Sequence, residues 1–124
     1  MRRPAIIALA SSATLLAGLS PGAAAECLIY RGSMDFKNEM EVRMMTASGK
    51  DCRLYFPLNN KVVVDVNQIT AHPHYGGARV DGISGAYYRS NPGYRGPDQF
   101  AFAFCGREEG KAGCAKVRVK VEVR

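Results

Sequence analysis

GAYYRSNPGYRGPDQFAFAFC, residues Gly85 to Cys105, reads as a strand, a corner and a second strand. Aromatic and alternating apolar residues flank a cluster of turn formers, Asn91, Pro92, Gly93, Gly96, Pro97 and Asp98. That grouping marks two strand ends meeting at a bend. Proline supplies a fixed φ, glycine opens positive φ, and Asx side chains bond nearby backbone. Asp98, placed where the chain re-enters a strand, is expected to accept hydrogen bonds from N–H groups of the corner.

Working toward the C-terminus, the phenylalanines at 100, 102 and 104 share one face of a strand, so Cys105 points the other way with Ala101 and Ala103. In the next strand, Cys114 to Arg124, Val117, Val119, Val121 and Val123 alternate with Lys116, Arg118 and Lys120, and Cys114 falls on the charged side. Antiparallel pairing keeps the sum of partner numbers constant. Setting Cys105 opposite Cys114 therefore sets Phe104 against Ala115, Phe102 against Val117 and Phe100 against Val119, which agrees with a shared apolar face. Cys105 is accordingly paired with Cys114 and, by elimination, Cys27 with Cys52. The alternating Val/Lys/Arg strand is also expected to be a charged sheet edge open to strand addition.

The run Tyr88, Pro92, Gly93, Tyr94, Gly96, Asp98, Phe100, Phe102 resembles the signature of bacterial Ig-like domains, Tyr-x-Pro-x-x-Gly-aromatic-x-Gly-x-Asp-x-Phe-x-Tyr. These are cadherin-like β-sandwich modules, often in tandem in exported proteins, that end in an alternating valine strand as Val117 to Val123 does here. The match runs from Val62 onward and departs from the pattern at Ser90, where proline is common, at Phe102, where tyrosine is common, and at the cysteines bracketing the last loop. The resemblance implies an all-β, Ig-like sandwich of antiparallel strands and a binding or structural role. A single copy stands here.

Upstream, the same period of two recurs. Met34, Phe36, Met40, Val42 and Met44 alternate with Asp35, Lys37, Glu39, Glu41 and Arg43, giving one long or bulged strand. Ala47 to Lys50 turns the chain, and Cys52, Leu54, Phe56 and Leu58 alternate with Arg53, Tyr55 and Pro57. Val62, Val64 and Val66 set against Lys61, Asp65 and Asn67 predict a strand with one polar face over 61–69. Residues 71–77 read as loop, and Asp81-Gly82 suits a tight primed hairpin turn. About seven short strands with no convincing helix indicate an all-β sandwich.

Residues 1–25 carry a processing signal: Arg2 and Arg3, a run of apolar and small residues from Ala5 to Leu19, then Pro21-Gly22 before Ala23-Ala24-Ala25. A Sec-type signal peptide is predicted, and the remaining domain, 26–124, is expected in the periplasm or secreted, with no transmembrane segment after cleavage. Removing Arg2 and Arg3 from the 17 basic residues leaves 15 against 11 acidic, a net charge of +4. A chain this size buries only about 60 to 65% of its unfolded surface, so staples help. Four cysteines in an oxidising compartment imply two disulfides.

Chemistry is sparse. There is no Gly-x-Ser-x-Gly elbow, His-Pro-His lacks a Ser or Asp partner, and paired cysteines leave no thiol, so a non-enzymatic module without cofactor is expected. The alternative is copper or zinc binding through His72 and His74, with Met40, Met44 or Met45 as soft ligands. Asp65, Asn67, Asp81 and Asp98 are too dispersed for calcium. Arg79, Arg89 and Arg95 interleaved with Tyr87 and Tyr94 form a candidate patch for an anionic polysaccharide or an envelope protein. The compartment argues against nucleic acid.

Overall fold

The structure is a computed structural model describing residues 27–31 and 38–124. The signal-peptide reading and the Met34 and Phe36 end of the predicted long strand lie outside the described residues. Among the described residues eight strands follow one another: β1 (Leu28–Tyr30), β2 (Glu39–Thr46), β3 (Cys52–Tyr55), β4 (Val62–Ala71), β5 (Gly76–Asp81), β6 (Gly85–Ser90), β7 (Gly96–Glu108) and β8 (Lys111–Val123). They build a five-stranded sheet in the order β1-β2-β8-β7-β4 and a three-stranded sheet in the order β3-β6-β5. In immunoglobulin lettering β3-β6-β5 opposite β4-β7-β8 is B-E-D opposite C-F-G, an Ig-like strand order. One strand exceeds the expected number, and one pairing departs from the antiparallel rule, since β2 runs parallel to β8.

The alternation that predicted the last hairpin is what closes the core. Cys105 pairs with Cys114, Phe104 with Ala115, Phe102 with Val117 and Phe100 with Val119. The three phenylalanines and Val117, Val119, Val121 and Val123 are buried. Val42 and Met44 of β2 continue that surface, and from the other sheet Cys52, Leu54, Ala86 and Tyr88 meet it, with Phe56 between. The Phe56 ring lies 6.1 Å from Phe104 and 6.5 Å from Phe102, and Tyr88 stacks on Phe100 at 5.7 Å. Each fully buried aromatic or branched side chain contributes about 1.5 to 3 kcal/mol. Two aligned apolar faces are enough to hold the layers together.

Both disulfides form as paired above. Cys105–Cys114 crosses the β7–β8 ladder on its outer face, whereas Cys27–Cys52 joins β1 of one sheet to β3 of the other. No described cysteine is free, the usage expected of a chain that matures in an oxidising environment. No described helix is long and apolar enough to cross a membrane.

Three expectations are corrected by the fold. β8 is no edge: it lies between β2 and β7, so its N–H and C=O groups are already taken and strand addition there is ruled out. The alternation predicted for residues 61–69 holds only to Val64. A bulge at Asp65 shifts the register, turning Val66 outward at 46% exposure and Asn67 inward. Asn67 uses this position to link the sheets, its Nδ2 donating to the carbonyls of Gly82 at 3.1 Å and Gly85 at 3.0 Å. Opposite the bulge, a Cβ on Gly106 would lie 1.9 Å from the Val63 carbonyl oxygen, so only glycine fits. Finally, the loop expected over 71–77 is trimmed to 72–75, because β4 takes in Ala71 and β5 takes in Gly76 and Gly77.

Candidate functional site

The corner between β6 and β7 is a rigid scaffold. Gly93 and Gly96 adopt φ of 88° and 133°, which side chains rarely tolerate. The turn at 47–50 backs it: Ser48 Oγ accepts from Gly93 N at 2.8 Å, and Gly49 N donates to Ser90 Oγ at 2.9 Å. Ser90 is buried, and this hydroxyl contact gives the departure from proline a structural role. Pro92 is exposed and packs over Gly49, while Phe100 belongs to the core.

Asp98 does not serve the corner as expected. Its Oδ1 accepts from His74 N at 3.0 Å and its Oδ2 from Tyr75 N at 3.1 Å, so it ties down the 72–75 loop. It also accepts from Gln99 N at 2.9 Å and from the Tyr88 hydroxyl at 2.8 Å. The reason is geometric: the 72–75 loop and the start of β7 lie at the same end of the sandwich, a proximity no local pattern encodes. Burial, then the hydrogen bond and charge of Asp98, push the Tyr88 hydroxyl well above the ordinary tyrosine range. Tyr94 stacks flat on Tyr75, rings 4.4 Å apart and 4° from parallel, and donates its hydroxyl to the Pro97 carbonyl. Desolvation, then the neighbouring Tyr75 and Asp98, raise the Tyr94 hydroxyl as well.

The predicted basic and aromatic patch divides in two. Arg79, Tyr87 and Arg89 come together on the outer face of the three-stranded sheet, while Tyr94 and Arg95 stay at the corner. The sheet adds two residues that the sequence reading did not assign to the patch, Arg53 and Tyr55 of β3. They alternate with core residues, so they read there only as the solvent side of a strand. Arg53, Tyr87 and Arg79 stand in one cross-strand row. The Arg79 guanidinium lies 4.4 Å from the centre of the Tyr87 ring, and that of Arg53 lies 5.0 Å from Tyr55. Each cation–π contact of this exposed kind is worth about 0.5 to 1 kcal/mol.

Carboxylates and carbonyls complete the face. Arg53 pairs with Asp81, whose hydrogen bond and charge raise the guanidinium further. Arg79 reaches Asp51 at 3.5 Å, and Arg89 Nε donates to the Gly49 carbonyl at 3.0 Å. Exposed ion pairs are worth about 0 to 1 kcal/mol, so Arg79 can exchange Asp51 for an incoming anion at little cost. The outcome is a row of guanidinium groups held in place by rings and strands.

His72 and His74 are exposed on the 72–75 loop, with the His74 ring 6.2 Å from that of Tyr75. Among the described residues no group of three or more His, Cys, Asp or Glu side chains gathers as metal ligands would. Asp65 pairs instead with Arg107 at 3.6 Å, remote from Asp98 in the fold. The geometry defines a disulfide-stapled, two-sheet β-sandwich with an arginine-tyrosine face on its smaller sheet. Comparison with protein-family models, with curated proteins and with solved structures finds no match.

Proposed function

We propose that this protein is an exported binding module of the cell envelope, periplasmic or secreted, that holds an acidic polysaccharide on the outer face of its three-stranded sheet. One observation carries the reading: Arg53 and Arg79 flank Tyr87 in a single row, each guanidinium resting on a tyrosine ring. A guanidinium positioned in this way loses less freedom on meeting a carboxylate or sulfate, and its planar fork suits both. The rings are covered by their own arginines, so they orient cations and do not offer bare faces to a sugar. Neighbouring strands lie about 4.8 Å apart, so Arg53 and Arg79, two strands apart, suit an anionic chain running across the strands. The signal-peptide pattern of residues 1–25, the net positive charge and the resemblance to bacterial Ig-like domains support the same reading.

Electrophoresis of the folded, oxidised protein through gels containing alginate or heparin tests it. Retardation that weakens with salt is expected, and Arg79→Ala or Arg89→Ala should each weaken it about fivefold, equivalent to roughly 1 kcal/mol. Arg118→Ala on the opposite sheet should change little. Equal losses from all three substitutions, or no retardation at low salt, would refute a specific face.

A further inference from the structure

The opposite side of the molecule carries a second surface of a different kind. Over the outer face of the five-stranded sheet a depression of about 850 Å³ is lined by Tyr30, Arg43, Met45, Lys120, Glu122 and Arg124, and reaches Pro97, Asp98 and Gln99. A smaller one of about 230 Å³ lies against His74 and Tyr75 and is lined by the same Pro97, Asp98 and Gln99. Sharing three consecutive residues, the two form one path from Tyr75 to Tyr30. Tyr75 is 47% exposed and Tyr30 is 56% exposed.

We propose that this path binds an extended, neutral glycan chain, with Tyr75 as the stacking platform at one end. The ring of Tyr75 has one face filled by Tyr94, 4.4 Å away and parallel. Its backbone N–H is held by Asp98, which in turn is fixed by Tyr88. A platform ordered before binding loses little entropy when a ligand arrives, and the C–H face of a pyranose needs a flat, immobile ring of this kind.

The walls distinguish a glycan from other chains. Arg43, Lys120 and Arg124 supply donors, Glu122 an acceptor and Gln99 both, which suits hydroxyls presented along two edges. Lys120 is already paired with Glu41 at 3.5 Å, and Glu122 opposes a polyanion among the cations that remain, Arg43 and Arg124. An extended peptide would need free main-chain groups to pair with. Beneath this path β2, β8 and β7 each have hydrogen-bonded neighbours on both sides, so a peptide could pair only at the β1 edge beside Tyr30.

Affinity electrophoresis of the folded, oxidised protein in gels of hydroxyethylcellulose, barley β-glucan, galactomannan and xylan tests the proposal. Retardation by at least one of these is expected, insensitive to salt. Tyr75→Ala should weaken it about tenfold and Tyr75→Phe only slightly, as a stacking contact requires. Because Tyr75→Ala also disturbs the Tyr94 stack, Tyr30→Ala at the far end is the second variant, expected to weaken binding severalfold with near-ultraviolet dichroism unchanged. Arg79→Ala, on the other sheet, should have no effect. Failure of all four polysaccharides to retard the protein, or retardation that survives both tyrosine-to-alanine changes, overturns it.

Discussion

The Tyr88 hydroxyl, from a side chain with no exposed surface, donates to Asp98 Oδ2 at 2.8 Å and thereby joins β6 of the smaller sheet to β7 of the larger. The same carboxylate holds two N–H groups of the 72–75 loop. Removing it leaves a buried hydroxyl with no acceptor and unties the loop. Asp98→Ala is expected to cost about 3 kcal/mol, a loss of roughly 12 °C or more in Tm for a domain of this size. Tyr88→Phe, which removes the hydroxyl and keeps the ring on Phe100, should cost about 1 kcal/mol. Thermal unfolding measures both, and equal costs would refute the hub role of Asp98.

That contact also sets an alkaline limit. Because the folded state raises the Tyr88 hydroxyl above its ordinary value, the unfolded chain ionises first as pH climbs. The contribution is fully present below about pH 10, the unfolded value, and is lost as pH rises beyond it toward the folded one. Urea midpoints should therefore be flat across neutral pH and fall above about pH 10. The fall should be shallower in Tyr88→Phe. Parallel slopes in the two proteins would disprove the assignment.

The two disulfides should differ in consequence. A chain-entropy account gives about 2.7 kcal/mol for the Cys105–Cys114 ring and about 3.5 kcal/mol for the larger Cys27–Cys52 ring. Cys52 is buried and its bond joins the two sheets, whereas the other bond lies across strands already paired residue by residue. Replacing Cys27 and Cys52 together with serine should lower the urea midpoint more than replacing Cys105 and Cys114. The reverse order would contradict this ranking.

Glycines divide in the same testable way. Gly106→Ala forces a methyl against the Val63 carbonyl and the bulged strand, costing about 2 to 3 kcal/mol. Gly77, on β5, has no atom within 4 Å of a built Cβ and no positive φ. Gly77→Ala is expected to be neutral or to stabilise by about 0.5 kcal/mol through the unfolded chain. Chemical denaturation of both variants decides the matter.

What could be read from the chain follows from range. Phe100, Phe102 and Phe104 against alternating valines determine both faces and register of one hairpin, since a one-residue slip would expose every apolar group. Cys105 opposite Cys114 follows from that same constraint. The parallel partner of each paired β8 residue lies 77 positions earlier, as Glu39 does opposite Lys116, and leaves no mark in either strand. Nor does Asp65 announce its bulge, because valines on both sides satisfy either phase of the alternation. Arg79, Tyr87 and Arg89 were legible as a patch through adjacent strands, but Arg53 and Tyr55 join them only through tertiary pairing of β3 with β6. Asp98 could be identified as a local acceptor, but two of its donors, His74 N and Tyr75 N, belong to another loop.

The position of β8 carries a consequence for timing. A chain made from its first residue onward reaches β8 last, yet that strand occupies the middle of the larger sheet. Until it arrives, β2 and β7 are separate ribbons with unmatched backbone and half a core between them. Closure of the two-layer stack therefore awaits the final residues, so the larger sheet is assembled only once almost the whole chain has been made.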